Sequence, residues 1–282
     1  MHMPEVEVPV FPFADLALAR RLERAEAVGG TRFVEARARL FPDSGAAWID
    51  VGGTYAMFDG PLSPVTQTFG FGLFGPPTAK DLTAIERFFD ERSSPVFHEV
   101  SPLADRSHIA LLNERGYEPL ECSSVLFQPI SAWAAGPKRT AHNAAIHVRQ
   151  IDEGEQDLWA STAALGWSDT VELGDFLLEL GRITAHRSDA LMFLAEHEGR
   201  PIATGALAVS DGVALLAGAS TVPDGRHRGA QLALLAARLN VASRMGCDLA
   251  MMAALPGSGS QRNAERNGFR IAYTRTKWRL VP

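Results

Sequence analysis

Val222-Pro223-Asp224-Gly225-Arg226-His227-Arg228-Gly229-Ala230-Gln231 joins an apolar run, Val213–Thr221, to a periodic one, Gly229–Met245. The first run is a strand that stops at a proline, which has no ladder donor and frees the edge beside it. The second is a helix of about four turns with Leu232, Leu235, Leu239 and Ala242 on one face, closed by Gly246. The first amides of a helix have no partner within it. With the helix dipole and the cations Arg226 and Arg228 they converge on an anion site suited to a pyrophosphate. A solvated basic turn before a helix would read the same over these ten residues, so the neighbouring elements decide.

Upstream, Ala145–Gln150 alternates as a short strand, and Glu153–Gly166 and Leu173–His186 carry a helical period. Leu191–Glu196, Pro201–Val209 and Val213–Thr221 read as successive antiparallel strands, turning at Glu198-Gly199-Arg200 and Ser210-Asp211-Gly212. Downstream, Leu249–Leu255 is continuously apolar, as for a strand buried on both faces. Ser258 and Gln261 stand at capping-box spacing and open a short helix that stops at Asn267-Gly268. Phe269–Leu280 is the closing strand.

The first half repeats this order. Val100-Ser101-Pro102, a helix to Glu114-Arg115-Gly116-Tyr117 and a strand to Phe127 parallel Leu255-Pro256, the helix to Arg266-Asn267-Gly268-Phe269 and the last strand. The amphipathic stretch Lys80–Arg92 stands where Gly229–Met245 stands. Repeated order at nearly constant spacing implies two copies of one fold. Ser131–Asn143 is small, polar and aperiodic, as an interdomain linker would be. The expected organisation is therefore a domain over 1–130, a linker over 131–144 and a second domain over 145–282, in an α/β (α+β) chain.

Composition bounds the function. The 282 residues are 46% hydrophobic and 21% charged, enough apolar material for two cores without a metal or disulfide staple. A formal net charge of −6 without a basic face argues against nucleic acid or an anionic membrane as partner. Cys122 and Cys247 have no partners at metal-ligand spacing, so no metal is expected and a reduced, cytoplasmic setting is the simplest reading. Glu5 and Glu7 precede the apolar patch Val8–Phe13, which is not a signal-peptide pattern. No run approaches the ~18 apolar residues of a membrane span. Neither a phosphate-binding Gly-x-x-x-x-Gly-Lys-Ser/Thr nor a Gly-x-Ser-x-Gly elbow occurs, and Gly257-Ser258-Gly259 lacks the third glycine of a dinucleotide fingerprint.

The loop resembles the acyl-CoA signature of the GNAT superfamily of acyl-CoA N-acyltransferases, Arg/Gln-x-x-Gly-x-Gly/Ala, between a fourth strand and a third helix. Arg226 and Gly229 match it, Pro223 precedes it as in the family, and Gln231 departs where a small residue is usual, crowding the helix start. The element order of the whole second half matches as well. The resemblance implies two GNAT-like domains, each a mixed, mostly antiparallel twisted sheet flanked by helices. It implies acetyl-CoA, or another acyl-CoA, held by Arg226, His227, Arg228, Gly229, Ala230 and Gln231. The pantetheine arm would lie between splayed fourth and fifth strands against the backbone of Ala219 and Thr221, with Asn263 near the thioester. The implied reaction is direct attack of a primary amine, from a small molecule or a peptide, on the thioester.

Many relatives place a tyrosine four residues before the Gly-Phe to protonate the leaving thiolate; Ala264 stands there. Tyr273 and Ser220 are then the candidate catalytic groups. Asp169 and Glu172 are candidates for ammonium binding or base work, while His197 reads as an exposed hairpin tip. A core tyrosine, a solvated helix asparagine and solvated loop acids are the plain alternatives for Tyr273, Asn263 and the Asp169/Glu172 pair. The first half has Phe74-Gly75-Pro76-Pro77-Thr78-Ala79-Lys80-Asp81 in place of the loop. Two prolines remove donors, Asp81 repels phosphate and Thr78 is an N-cap, so this copy is degenerate and one cofactor per chain is expected. A non-catalytic acyl-CoA sensor or interaction protein is the alternative function. Oligomeric state has no signal in the sequence.

Overall fold

The structure is a computed structural model and describes residues 10–135, 145–167 and 174–281. The first half contributes α1 (Leu16–Leu40), β1 (Ala47–Val51), β2 (Thr54–Phe58), β3 (Gln67–Phe69), α2 (Ala79–Asp90), β4 (Phe97–Val100), α3 (Ser107–Glu114), β5 (Tyr117–Pro129) and α4 (Ile130–Ala135). The second contributes β6 (Ile146–Gln150), α5 (Gln156–Gly166), α6 (Gly174–Ala185), β7 (Ala190–His197), β8 (Arg200–Ser210), β9 (Val213–Thr221), α7 (Ala230–Arg244), β10 (Leu249–Ala254), α8 (Gly259–Arg266) and β11 (Arg270–Leu280).

The class is mixed α/β, and the two half-sheets are joined rather than separate. One 11-stranded sheet runs in the order β1-β2-β3-β4-β11-β5-β10-β9-β8-β7-β6. The joint is an exchange. The last strand of the chain, β11, pairs with β4 of the first half, while β5 of the first half pairs with β10 of the second. β5 and β11 then pair with each other along their length. In each half a parallel pair, β3 with β4 and β9 with β10, lies beside this seam. The segment expected to be a linker begins as α4, whose Trp133 packs on the second-half core and donates to Asn240 Oδ1 at 3.1 Å. Its remainder, from residue 136, lies outside the described residues.

Strand alternation sets which side of the sheet each helix covers. Leu215 and Met251 point to α1, and Leu216 and Met252 point to α7. On α7 the buried stripe is Leu234, Leu235, Leu239 and Ala242, with Leu232 only half-buried. α1 is capped by Asp15, which accepts from Leu18 N at 2.9 Å, and it spans both halves. Arg21 at one end pairs with Asp248 at 2.6 Å, and Arg37 at the other pairs with Asp59 and Glu179. No helix among the described residues is long and apolar enough to cross a membrane.

Under α1, Glu23 is buried beside Glu26, Glu99, Tyr273 and Arg275, and burial pushes its carboxyl up to about 7. A carboxyl with a folded pKa above its unfolded one binds the extra proton only in the native state. Stability is therefore drained as pH rises from the unfolded value through about 7. Glu23→Gln, which stays neutral, should gain stability relative to the parent across this window in urea melts at stepped pH. A pH-independent difference would refute this.

Candidate functional site

β9 and β10 pair only over Val213↔Leu249, Ala214↔Ala250 and Leu215↔Met251. Both strands continue beyond that point, β9 to Thr221 and β10 to Ala254, and they part. The cause is visible on the far edges. β10 stays paired with β5 as far as Ala254, whereas β9 breaks register with β8 between Thr204 and Ala206 and leaves Ala217, Gly218 and Ala219 exposed. A cavity of about 510 Å³ fills the parting. Ala219, Ser220 and Thr221 line it from β9, Met252 from β10, and Asn263 from α8. Gly166 and Trp167 at the end of α5 bound it on one side of the sheet, and Leu235 and Arg238 of α7 on the other. Val222 N donates to Ile202 O at 2.9 Å, so by alternation the polar backbone of Thr221 faces the gap.

At the mouth, Pro223–Gly225 form one 3-10 turn and Arg226 continues extended at φ −64, ψ 154. His227 and Gly229 both have positive φ, 62 and 85. Gly229 is the N-cap of α7, with no side chain to close it, and the first helical bond is Ala233 N to Gly229 O at 3.1 Å. The amides of Ala230, Gln231 and Leu232 therefore have no partner within the helix. The corresponding helix of the first half is sealed. Thr78 Oγ1 accepts from Asp81 N at 3.2 Å, and Asp81 Oδ2 accepts from Thr78 N at 3.0 Å. Past β3 the chain turns inward, burying Phe71 beside β4 and Leu73 under α1, and Gly72 O accepts from Asp105 N at 2.8 Å.

No protein-family model matches the chain, and no curated protein matches its sequence. Solved structures match its fold. A GCN5-related N-acetyltransferase from Kribbella flavida superposes with a TM-score of 0.66 at 17% identity, over 94% of this chain and 96% of that one. The fold is that of the GCN5-related N-acetyltransferases. A tandem GNAT protein from the clavulanic acid biosynthesis pathway matches over 96% of this chain and 98% of its own, at TM-score 0.59 and 12% identity. A GCN5-related N-acetyltransferase from Sphaerobacter thermophilus matches at TM-score 0.55 and 16% identity, over 100% and 98%.

Within this GNAT fold the expected site residues divide. Ala219, Ser220, Thr221, Arg226, Gln231 and Asn263 meet at the cavity. Arg226 and Arg228 do not converge: Arg226 lines the cavity, whereas Arg228 donates back to Asp224 O at 3.1 Å. Arg228 faces a second hollow of about 500 Å³ with His197, Glu198 and Arg200. His197 is half-buried there rather than an exposed tip. His227, Gly229 and Ala230 lie in the loop and helix start without lining the cavity. Gln231 does not crowd the helix start. Its Nε2 reaches back to Ser220 O at 2.7 Å and Thr221 Oγ1 at 3.0 Å, tying α7 to the end of β9.

Tyr273 is misplaced for catalysis. It lies on the α1 face of the sheet, 7% exposed, and donates to Glu23 Oε1 at 2.9 Å. Burial next to Glu23 holds its phenol well above the usual range. Ser220 reaches the cavity, but its proton is committed. Thr204 Oγ1 donates to Gly218 O at 2.9 Å, which leaves Ser220 as donor in the 3.0 Å contact with Thr204. Asn263 accepts from Asn267 Nδ2 through its carbonyl at 2.7 Å. Ala264 is fully buried in the second-half core. Asp169 and Glu172 lie outside the described residues.

One residue escaped the sequence reading. Arg238 lines the cavity from within the apolar stripe of α7, 3% exposed, and burial draws its guanidinium down to about 10. An arginine three positions after Leu235 and one before Leu239, on a core-facing stripe, was the available signal.

Proposed function

We propose that this cleft binds acyl-CoA and that the protein passes the acyl group to a primary amine. The observation that supports this most is the conjunction of an uncapped helix start with a strand gap opening into the same cavity. The residues fit the group. The amides of Ala230–Leu232 with Arg226 suit the pyrophosphate, and the free edge of β9 at Thr221 suits the two amides of the pantetheine arm. Bound acyl-CoA supplies a thioester carbonyl open to attack by an amine.

The chain's own part is positioning. Among the described residues the cavity lining has no carboxylate, histidine or tyrosine. The protein then orients the reactants and donates hydrogen bonds, and the amine arrives already deprotonated. Residues 1–130 are read as a degenerate copy of the same fold that carries no cofactor, and 145–282 as the binding copy.

Calorimetry and thermal melts with CoA and acetyl-CoA test the first half of the proposal, since a ligand of the native state must raise its melting point. Thiol release across a panel of amines tests the second. Its rate should rise with pH along the amine's own ionisation, without a protein pKa near neutrality. A bell-shaped profile that is the same for every amine would point to an acid–base residue and refute the positioning mechanism. A second reading, a non-catalytic acyl-CoA sensor, is consistent with Ala264 standing where a leaving-group tyrosine is usual. Tight binding without thiol release from any amine would select it.

A further inference from the structure

We propose that the deep end of the cleft receives a carboxylate, so that the preferred donor is a short dicarboxylic acyl thioester such as malonyl- or succinyl-CoA rather than acetyl-CoA. This rests on the acyl-CoA reading of the cleft and narrows it.

The observation is a buried cation without an anion. Arg238 donates from Nε to Leu234 O and from Nη1 to Ala206 O and Ala217 O, each at 3.2 Å. All three acceptors are neutral carbonyls. No carboxylate among the described residues pairs with it, and burial alone moves its ionisation. The other buried arginines behave differently. Arg37 meets Asp59 and Glu179, Arg187 meets Asp189, and Arg275 meets Glu23, Glu26 and Glu99. A desolvated charge is costly unless paired, so a guanidinium held at the wall of a cavity with only carbonyl partners is a seat for an incoming anion. Its two Nη2 protons have no acceptor among the described residues. The group is also wedged. A Cβ on Gly205 would stand 2.9 Å from Arg238 Cζ, so only glycine in β8 lets it lie flat on the bulge.

Depth says which part of the ligand arrives there. Arg238 is nine residues beyond Gly229, ~13–14 Å along α7 from the phosphate cradle. Its partner Ala217 is four residues before Thr221, again ~13 Å along β9. In CoA the phosphate oxygen and the thiol sulfur are separated by about twelve bonds, the backbone of about four extended residues, hence ~13–14 Å. The guanidinium thus lies at the level where the acyl group begins. The pantetheine arm is neutral, so the anion must sit on the acyl chain, and a carboxylate two or three bonds past the thioester carbonyl is within reach of an arginine donor.

The experiment is calorimetric titration of the full chain, without any amine, by CoA, acetyl-, butyryl-, malonyl- and succinyl-CoA. Omitting the amine removes an acceptor's carboxylate as a source of the anion. At least one of malonyl- and succinyl-CoA should bind ~10-fold or more tightly than acetyl- and butyryl-CoA. Arg238→Met should erase that preference while CoA itself binds as before. Equal affinity across the acyl series in the parent protein overturns this proposal and leaves the acyl-CoA reading standing. Failure of every member, CoA included, overturns both. Should Arg238→Met not fold, the parent's own series still decides.

Discussion

Gly229→Asp should weaken acetyl-CoA binding by ~100-fold or more, a loss of about 2.7 kcal/mol, with the fold intact. Two effects act together. A side chain at the N-cap obstructs the approach of phosphate to the open amides of α7, and its charge opposes the phosphates at the positive end of the helix. In the first half the start of α2 is closed by side chains, the Thr78 hydroxyl at the N-cap and the Asp81 carboxylate at the third helical position. Stability falls only modestly. Placing a side chain at φ 85 costs ~1–2 kcal/mol, small beside the stability of a chain of this size. Arg226→Ala should cost ~10-fold in affinity, since it removes one charge and leaves the amides. Lys80→Ala, exposed at the start of α2, should cost nothing. The readouts are calorimetric affinity and the melting midpoint. Parent-like binding by Gly229→Asp, or an equal loss at Lys80, would remove the cofactor from this loop.

What the sequence made legible follows from locality. The hairpins β7–β8 and β8–β9 were readable because Glu198-Gly199 and Asp211-Gly212 both adopt the positive φ that such turns demand. α8 was readable from its cap, since Ser258 Oγ does accept from Gln261 N at 3.2 Å, although Gln261 answers to Gly257 N rather than to Ser258. α1 was not anticipated. Gly29-Gly30 in its middle reads as a break, yet the pair exists because α1 crosses the sheet in contact. A Cβ at Gly29 would stand 2.8 Å from Leu215 Cδ2, and one at Gly30 would stand 2.5 Å from Met57 Sδ. Nor could local pattern show that β5 and β11 exchange partners, because alternation fixes the faces of a strand and not its neighbours.

The same limit governs the site. Arg226 and Arg228 flank His227, whose positive φ turns the chain and sends the two side chains to different hollows. Tyr273 follows a register break between Ile271 and Tyr273. Such a break changes which residues of a strand face which side, and from the bare sequence the tyrosine could be placed on either. The cleft, by contrast, depends on an element order and a proline-ended strand that are written locally. This is why the uncapped helix start and the strand before it can be read from the sequence, while the placement of Tyr273 and Arg228 cannot.

Arg275→Met should destabilise the protein by about 3–5 kcal/mol at neutral pH, because it leaves buried carboxylates without their cation. Arg275 is 3% exposed and ties β11 to three other segments. It holds Glu26 of α1 through two bonds of 2.7 and 2.8 Å, Glu23 of α1 at 3.4 Å, Glu99 of β4 at 3.0 Å and Ser123 of β5 at 2.9 Å. These are the strands of the exchanged seam and the helix that covers it. For a chain of this size the melting midpoint should fall by roughly 10 °C. The deficit should also depend on pH with a definite sign. Without the guanidinium, Glu23 keeps its burial and loses its attraction, so its carboxyl, already raised to about 7, rises further. The deficit from this group should therefore grow as pH climbs through about 7 and shrink below it. Adding Glu26→Gln to Arg275→Met should recover ~1 kcal/mol or more, where independent sites would add. A deficit below ~1 kcal/mol that does not change with pH would mean the carboxylates reach water, and the seam would then be held by its ladders and apolar faces alone.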